Sequence, residues 1–549
     1  MSNKKFKDPL YGYISIPTGY ANRIIDSPAF QRLRRITQTS YAPLYSSAVH
    51  NRFIHSLGVY HLGGIASGTL CDEIIRKHIH EDAHLDTDEV KRLGEVFTLA
   101  CLLHDVGHAP FSHTGESFYL DASSEYSTIH HLLEQVVDSE EFKQDIPIEA
   151  SESAAPHEIM SAIIGLKEFA GELNNVDEKS FFARCITGYK YSAHNSANSL
   201  KNCFISMLNS KIIDVDKLDY LIRDAYITGY NTVKIDYARL LSALTIIKKD
   251  DEQEDTYELA YHKGAISVIE NVVYAHDSER KWIQNHPVIL YECYILQHAM
   301  KRLSEIYDTK DGRLFSIEAL SSDGIKLNHE RQIRLLCDDD VIVLMKENMD
   351  DPLIKEYFDR RNRRHPLWKS EAEYYAYIRS LAAEGTMLNG LEEALTNTAK
   401  YLKSTMSWII DPALKERILA DLDDIQDKPL DKRTKEIQLK KKKSILQIIS
   451  CLQDYAEKTG YTGDFVLIMA SEFKSSFIKP DFSKTKIVFS SESDRKVCVF
   501  KDVAKTVQGE KPNRDEYYYL FYKKQDDDGS IINAEELSWK LFSECARYQ

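Results

Sequence analysis

The chain has 549 residues, a formal net charge of −15, 43% hydrophobic and 28% charged residues, a composition typical of globular proteins with a large core. Because phosphate backbones attract basic proteins, the acidic balance argues against a general nucleic-acid binder, though not against a small anionic substrate in a locally basic pocket. Nine scattered cysteines without a CxxC pair, no apolar signal core and no apolar run of about 18 residues predict a reduced, cytoplasmic protein without a membrane span.

The first fifty residues contain turn signals followed by a basic run. The sequence DSP at 26–28 predicts a helix start, because proline is favoured at the first helical position. The arginines that follow in FQRLRRI are typical of a solvated basic face. Residues 51–70 then predict a helix that carries His55 and His61.

Residues 88–104 predict a strongly amphipathic helix. Leu93, Phe97 and Ala100 recur at helical spacing, and His104 lies one turn further along the same stripe. The acidic and polar residues 117–155 predict a surface insertion. Further helices are predicted from residue 156, within residues 203–230, and onward to about residue 457.

The pattern changes near residue 460, where short β-rich runs begin. FVLIMA (465–470), KIVF (486–489), KVCVF (496–500) and YYYLFYK (517–523) predict strands, and a helix is predicted to close the chain. The predicted fold class is therefore mainly α, with a helical body over residues 1–457 and a small C-terminal α/β domain over residues 458–549.

The segment CLLHDVGHAPFSHTGE (101–116) concentrates the residues with chemical potential. It places His104 and Asp105 at the end of an apolar run, where polar side chains are costly to bury unless something satisfies them. Imidazole and carboxylate are common ligands of divalent metals, and imidazole favours transition metals over Mg. Two further candidate ligands lie on other predicted helices, so that the complete predicted set is His55, His104, Asp105 and Asp216, for Mn, Fe, Zn or Mg.

Five segments, DPLYGYISI, RIIDSPAFQRLRRITQ, HNRFIHSLGVYHLGG, LLHDVGHAPFSH and DVDKLDYLIRDAYITG, follow one another over residues 8–230. In these segments the chain resembles the HD-domain phosphohydrolases, and more narrowly the deoxynucleoside triphosphate triphosphohydrolases (dNTPases) of the SAMHD type. The resemblance implies an HD-type helical domain and a dGTPase-like hydrolase that converts a dNTP and water to deoxynucleoside and triphosphate.

The resemblance also implies roles for individual residues. The catalytic positions it implies are His113, His157, His108 and Glu116, of which Glu116 stands where the family usually has an aspartate. The substrate contacts it implies are Gln38, Arg52, Lys217, Tyr220, Asp224 and Tyr274. The residues themselves agree in part, because Asp216, Tyr220 and Asp224 are four apart and share one helix face.

A regulatory site is implied as well. Asp26, Gln31 and Arg34 match residues that bind a guanine nucleotide at a subunit interface, which predicts a homo-oligomer, such as a homotetramer, with nucleotide-linked activity. Lys7 stands where the family has an asparagine.

The residues alone leave the reaction open. A divalent ion lowers the pKa of water from 15.7 towards about 7, and the resulting hydroxide could attack the α-, β- or γ-phosphorus. Attack at the α-phosphorus is implied by the resemblance. The alternatives are an HD phosphodiesterase or nucleotidase that acts on another nucleotide, and a nucleotide-sensing assembly protein without catalysis.

Overall fold

Helices dominate the protein in the computed structural model, which describes residues 2–119, 129–147, 154–210, 213–230, 233–249, 256–310, 312–361, 363–381, 387–429, 431–470, 484–490, 495–503, 517–525, 529, 531–534 and 536–537. The chain divides into two units. The first comprises residues 1–280, 299–348 and 474–510, and the second comprises residues 281–298, 349–473 and 511–549. The domain boundary predicted at residue 457 stays a prediction.

The described helices of six or more residues are α1 Arg52–Arg76, α2 Thr87–Leu103, α3 Ile129–Val137, α4 Glu140–Asp145, α5 Pro156–Phe169, α6 Val176–Thr187, α7 Ser196–Leu208, α8 Val215–Thr228, α9 Tyr237–Ser242, α10 Ile266–Glu279, α11 Pro287–Tyr307, α12 Asp338–Glu347, α13 Pro352–Phe358, α14 Glu371–Leu381, α15 Met387–Thr405, α16 Pro412–Asp427 and α17 Lys432–Thr459. The described strands are β1 Asn3–Asp8, β2 Gly12–Pro17, β3 Leu244–Lys248, β4 Tyr257–His262, β5 Ile325–Lys326, β6 Gln332–Ile333, β7 His365–Pro366, β8 Val466–Ala470, β9 Lys486–Ser490, β10 Arg495–Val499 and β11 Tyr517–Tyr522.

Helices α1 and α2 pack closely at the centre of the first unit. Gly63 of α1 allows this approach, because a Cβ there would lie 2.5 Å from the sulfur of Cys101. Asp86 caps α2 and forms a capping box with Glu89. This pairing brings His55 of α1 towards the end of α2, where His104 follows.

A four-stranded sheet of order β10-β9-β4-β3 belongs to the same unit. Strands β4 and β9 run parallel, with Tyr261 opposite Ile487, whereas β3 and β4 are antiparallel neighbours. The prediction of continuous helix from residue 230 to 457 is therefore wrong at β3 and β4, which are short and have no strict alternation to distinguish them from buried helix.

The second unit combines helices with a three-stranded sheet of order β7-β11-β8. Helix α17 packs against α15 and α16 and ends at Gly460, whose φ of +67° is the left-handed geometry that favours glycine after a helix. All six residues of β11 are buried, which places this strand in the core of the unit.

The predicted mainly helical fold class with C-terminal strands is confirmed. The four predicted strands are present, but they join two different sheets: β9 and β10 extend the sheet of β3 and β4, while β8 and β11 pair with each other. Within residues 117–155, α3 and α4 bury Ile129, Leu133 and Phe142, so that the described part of this stretch adds apolar side chains to the core. Its status as an insertion stays a prediction. Of the predicted closing helix, the structure describes residues 534, 536 and 537, which are helical, and the rest lies outside the described residues.

Candidate active site

Four side chains from three segments converge in the first unit. His55 lies on α1, His104 and Asp105 directly follow α2, and Asp216 lies in the first turn of α8. The Nε2 atom of His55 is 2.9 Å from Oδ1 of Asp216 and 3.3 Å from Nε2 of His104. All four residues predicted as metal ligands are therefore brought together.

The remaining distances complete the cluster. Nε2 of His104 lies 3.4 Å from Oδ1 of Asp105 and 3.5 Å from Oδ1 of Asp216. Oδ2 of Asp105 lies 3.6 Å from Nε2 of His55. The ligand atoms of His55, His104 and Asp105 all lie within 4.8 Å of one another, and Oδ1 of Asp216 lies beside both imidazole nitrogens. His55 and Asp105 are fully buried.

The other ring nitrogen of each histidine has its own partner. Nδ1 of His104 lies 3.0 Å from the carbonyl oxygen of Cys101, and Nδ1 of His55 lies 2.7 Å from Oδ2 of Asp219. If each Nδ1 carries the proton, both Nε2 lone pairs point into the cluster. Two lone pairs and two carboxylates that face each other fit a divalent cation between them.

A buried charged network supports His55 from behind. Arg223 donates to both oxygens of Asp219, at 2.8 and 2.9 Å, and to Asp8 at 3.0 Å. The hydroxyl of Tyr11 donates to Asp219 at 2.8 Å. Gly58 leaves the space for this network, because a Cβ there would lie 1.9 Å from Oδ1 of Asp219.

This network was not predicted from the sequence. Asp8 and Tyr11 lie in the segment DPLYGYISI, and Asp219 and Arg223 are spaced i, i+4 in DVDKLDYLIRDAYITG. A pair of opposite charges spaced i, i+4 is usually exposed on a helix surface. The one signal that Asp219 and Arg223 are buried is their place in the same segment as the candidate ligand Asp216. The structure buries both partners completely.

A second cluster lies beside the first and contains the predicted catalytic residues. Oε1 of Glu116 is 2.6 Å from Nδ1 of His113 and 3.1 Å from Nδ1 of His157. The ring of His108 stacks on that of His157 at 4.6 Å. Nε2 of His108 lies 3.8 Å from Oδ1 of Asp105, so this histidine links the two clusters.

Charges shift the pKa values in both clusters. Burial alone would raise the pKa of Glu116, but His157 and His113 hold it well below its usual range. Burial would likewise lower the pKa of His157, but the charge of Glu116 raises it to about 9. Asp105 behaves similarly, because Arg52 outweighs burial and holds its pKa at about 2.

The loop between the clusters is fixed by contacts on both sides. Phe111 and Ser112 have φ values of 56° and 54°, in the sparsely populated left-handed region. The carboxylate of Asp338 accepts from the Phe111 amide at 2.7 Å, and Arg32 donates to the His108 carbonyl at 3.0 Å. Arg32 was predicted to lie on a solvated face, and the structure instead buries it.

The predicted substrate contacts Arg52 and Gln38 lie next to the clusters. Arg52 donates to Oδ2 of Asp105 at 2.9 Å, to Ser112 at 2.9 Å and to the carbonyl of Gln38 at 3.2 Å. Gln38 is buried, and its side-chain oxygen has no hydrogen-bond partner among the described residues. Their contact with a triphosphate stays a prediction.

The other predicted substrate contacts lie on α8 and α10. Lys217 donates from Nζ to Asp214 at 2.6 Å and to the Ser210 carbonyl at 2.8 Å. Asp224 is buried, with Oδ1 2.7 Å from Nε2 of His50. Tyr220 is half-buried on the same helix, whereas Tyr274 on α10 is exposed.

Of the residues predicted for an allosteric nucleotide, Gln31 and Arg34 contact each other, and Asp26 contacts Lys4. Asp26 accepts from Lys4 at 2.8 Å. Arg34 donates to the side chain of Gln31 at 2.9 Å, and its guanidinium lies 3.5 Å from the centre of the Phe53 ring. A nucleotide site at these residues stays a prediction.

The chain is similar in sequence to several known proteins. Uncharacterized protein MG461 of Mycoplasma genitalium is 28% identical over 277 residues, which is 49% of this chain and 53% of that protein. The Dictyostelium discoideum protein named deoxynucleoside triphosphate triphosphohydrolase SAMHD1 homolog is 30% identical over 288 residues, 50% of this chain and 46% of that protein. The chain spans about half the length of these curated relatives, and no family model matches it.

A crystal structure of a hypothetical protein from Aquifex aeolicus covers 99% of both chains with a TM-score of 0.52 and 19% identity, which supports the fold alone. Within the described residues, no helix is both long and apolar enough to cross a bilayer. The His/Asp cluster and a likeness to a putative HD domain-containing protein of Acanthamoeba polyphaga mimivirus, 25% identical over 324 residues, 56% of this chain and 61% of that protein, relate the chain to HD-domain proteins. More particularly, it is distantly related to the SAMHD1 triphosphohydrolases and to MG461.

Proposed function

We propose that the protein is a metal-dependent phosphohydrolase that converts a deoxynucleoside triphosphate and water to deoxynucleoside and inorganic triphosphate. The observation that carries the proposal is the convergence of His55, His104, Asp105 and Asp216 beside a second cluster of histidines. A metal centre next to groups that can move protons suits phosphate-ester hydrolysis, because the metal can activate water and a neighbouring group can protonate the leaving oxygen. The SAMHD1 relatives, which are named deoxynucleoside triphosphate triphosphohydrolases, support a dNTP as the substrate.

The four converging side chains would hold the divalent ion, with Mn, Fe, Zn and Mg all compatible with the donors. When bound, the ion supplies the Lewis acidity that lowers the pKa of water. Asp219 keeps the proton of His55 on Nδ1, and the carbonyl of Cys101 does the same for His104. The protein thereby presents both Nε2 lone pairs to the ion.

Hydrolysis at the α-phosphorus forms a bond from the water oxygen to phosphorus and breaks the bond from phosphorus to the 5′-oxygen. The departing 5′-oxygen needs a proton. His113 is the candidate donor, because its side chain is 66% exposed towards solvent while Nδ1 is fixed 2.6 Å from Glu116. Arg52 and Lys217 would offset the triphosphate charge.

Assembly and regulation form part of the proposal. Asp26 can accept two hydrogen bonds from the Watson–Crick edge of guanine, and Arg34 can bind phosphate. A guanine nucleotide at these residues would join subunits of a homo-oligomer, with a homotetramer as the proposed state. Sedimentation with and without each nucleotide tests this, and a monomer under all conditions would remove it.

Product analysis tests the reaction. Purified protein is incubated with each dNTP, with Mn or Mg, and with candidate activating nucleotides, and the products are separated by ion chromatography. Inorganic triphosphate and deoxynucleoside in equal amounts are expected. Pyrophosphate or monophosphate would favour an HD phosphodiesterase or nucleotidase instead, and binding without any product would favour a nucleotide-sensing assembly protein.

A further inference from the structure

A cleft of about 600 Å³ opens in the first unit, on the side of α5 where Glu158 lies. Its walls come from the start of α5, the loop after α6, the loop after α7, and strands β4 and β9. Small-molecule sites typically have volumes of about 300–1,000 Å³. The cleft is therefore large enough for a ligand of nucleotide size.

The cleft is basic although the whole chain is acidic. Lys190, Lys484 and Lys486 line it, and none of these side chains has an ion-pair partner among the described residues. Two acids, Glu158 and Glu258, also line it. Glu158 is already engaged, because its oxygens accept from the Ala155 amide and from Asn209, both at 2.7 Å. Unpaired ammonium groups in a cleft concentrate anions.

The lining also offers a hydroxyl and two aromatic rings. Oγ1 of Thr485 is buried without a hydrogen-bond partner among the described residues, and it lies in the sequence Lys-Thr-Lys between two of the lysines. Tyr189 and Tyr261 are 4% and 7% exposed and form part of the wall. Lysines and a hydroxyl suit phosphate oxygens, and buried rings suit a flat apolar group.

We propose that this cleft is a second anion site, which binds a polyphosphate chain through Lys190, Lys484, Lys486 and Thr485. A nucleotide and free triphosphate share this chemistry, and both are compatible with the charges. The site is separate from the metal-ligand cluster, yet it borders it: the Ser210 carbonyl in its wall accepts from Lys217, the neighbour of Asp216. Binding at the cleft does not depend on the proposed reaction.

Lysine protection tests the site in the full-length protein. The amines are briefly acetylated with EDTA present, and the rate at each lysine is read by mass spectrometry. The probes are inorganic triphosphate, a dATP analogue in which a methylene group replaces the 5′-oxygen so that the bond broken in the proposed reaction is absent, and deoxyadenosine. At a probe concentration about ten times Kd, bound sites should react about tenfold more slowly. Lys5, Lys167 and Lys263, which are exposed, serve as internal controls.

Protection of the cleft lysines by triphosphate and by the analogue supports a polyphosphate site, and protection by the analogue alone narrows it to a nucleotide. No protection by either probe, or equal protection of the control lysines, overturns the proposal, as does protection by deoxyadenosine alone.

The variant K190A/K484A/K486A should lose one class of triphosphate site in equilibrium dialysis, with affinity there at least about tenfold weaker. The matched variant K5A/K167A/K263A should retain it, and equal binding by both variants would contradict the proposal.

Discussion

The Nδ1 atom of His55 lies 2.7 Å from Oδ2 of Asp219, and this contact fixes which nitrogen of His55 faces the cluster. Asp219 cannot turn away, because Arg223 donates to both of its oxygens and Tyr11 donates to one. A fully buried carboxylate with three donors is a rigid acceptor. His55 is thereby oriented before any ion arrives, which lowers the cost of forming a metal centre.

Replacing Asp219 by asparagine should weaken metal binding. The amide can present its NH2 group to His55, which would favour the opposite tautomer and turn the Nε2 lone pair away from the cluster. Loss of such a supporting contact typically costs about 10–100-fold in metal affinity. A calorimetric titration of the metal-free protein with Mn measures this metal affinity directly.

The matched variant Tyr11→Phe removes one hydrogen bond to Asp219 and keeps the carboxylate. Its Mn affinity should fall by less than that of Asp219→Asn. An Asp219→Asn protein that is folded and binds Mn as tightly as the unchanged protein would show that Asp219 does not position His55.

Removing a proposed ligand should remove the metal itself. Asp216→Ala leaves three donors and takes away the carboxylate that lies 2.9 Å from Nε2 of His55 and 3.5 Å from Nε2 of His104. The variant should retain less than about one tenth of the bound metal after dialysis, as measured by elemental analysis. The exposed His84 is the control, and His84→Asn should keep its metal because asparagine tolerates the positive φ at that position. Full metal content in Asp216→Ala would exclude Asp216 as a ligand.

The sequence was informative where chemistry and local pattern coincide. The apolar stripe of α2 leads directly to His104, and the four predicted ligands converge, although their function as ligands stays a prediction. Glu116, which stands where the family usually has an aspartate, reaches both His113 and His157.

The long-range parts of the structure could not be predicted in this way. Strand β9 pairs in parallel with β4, more than 220 residues earlier in the chain, and short strands carry no signal for a distant partner. The burial of Arg32 and Arg223 was missed for a related reason. A charged side chain is normally assigned to the surface, and only the tertiary structure supplies the carbonyl of His108 or the carboxylate of Asp8 that makes burial tolerable.

Gly107, between the two clusters, should not tolerate a side chain. A Cβ at this position would lie 2.3 and 2.4 Å from backbone atoms of Met160 and Ser161 on α5. Backbone cannot yield as a flexible side chain would, so Gly107→Ala should lower the free energy of unfolding by about 1–3 kcal/mol. Urea unfolding measures the change.

Gly64 on α1 is the matched control, because a Cβ there would meet nothing within 4 Å. Gly64→Ala should raise the unfolding free energy by about 0.5–1 kcal/mol, since alanine is the better helix former. If both variants were equally stable, α5 would not be packed against Gly107 as described.

The pair His157 and Glu116 should make stability depend on pH. Burial opposes the charge on His157, but Glu116 raises its pKa from 6.5 to about 9. A histidine with a raised pKa stabilises the fold fully below its unfolded pKa, and this contribution is lost as pH rises from about 6.5 to about 9. Its size is about 3 kcal/mol at 1.36 kcal/mol per pKa unit.

The Glu116→Gln variant should therefore be less stable than the unchanged protein at pH 6.5, and the difference between their free energies of unfolding should shrink as pH rises to about 9. Urea unfolding at each pH measures this difference. Glu168→Gln, an exposed change on α5, is the control and should show no such trend. If the loss of unfolding free energy in Glu116→Gln stayed constant from pH 6 to about 9.5, the raised pKa of His157 would be contradicted.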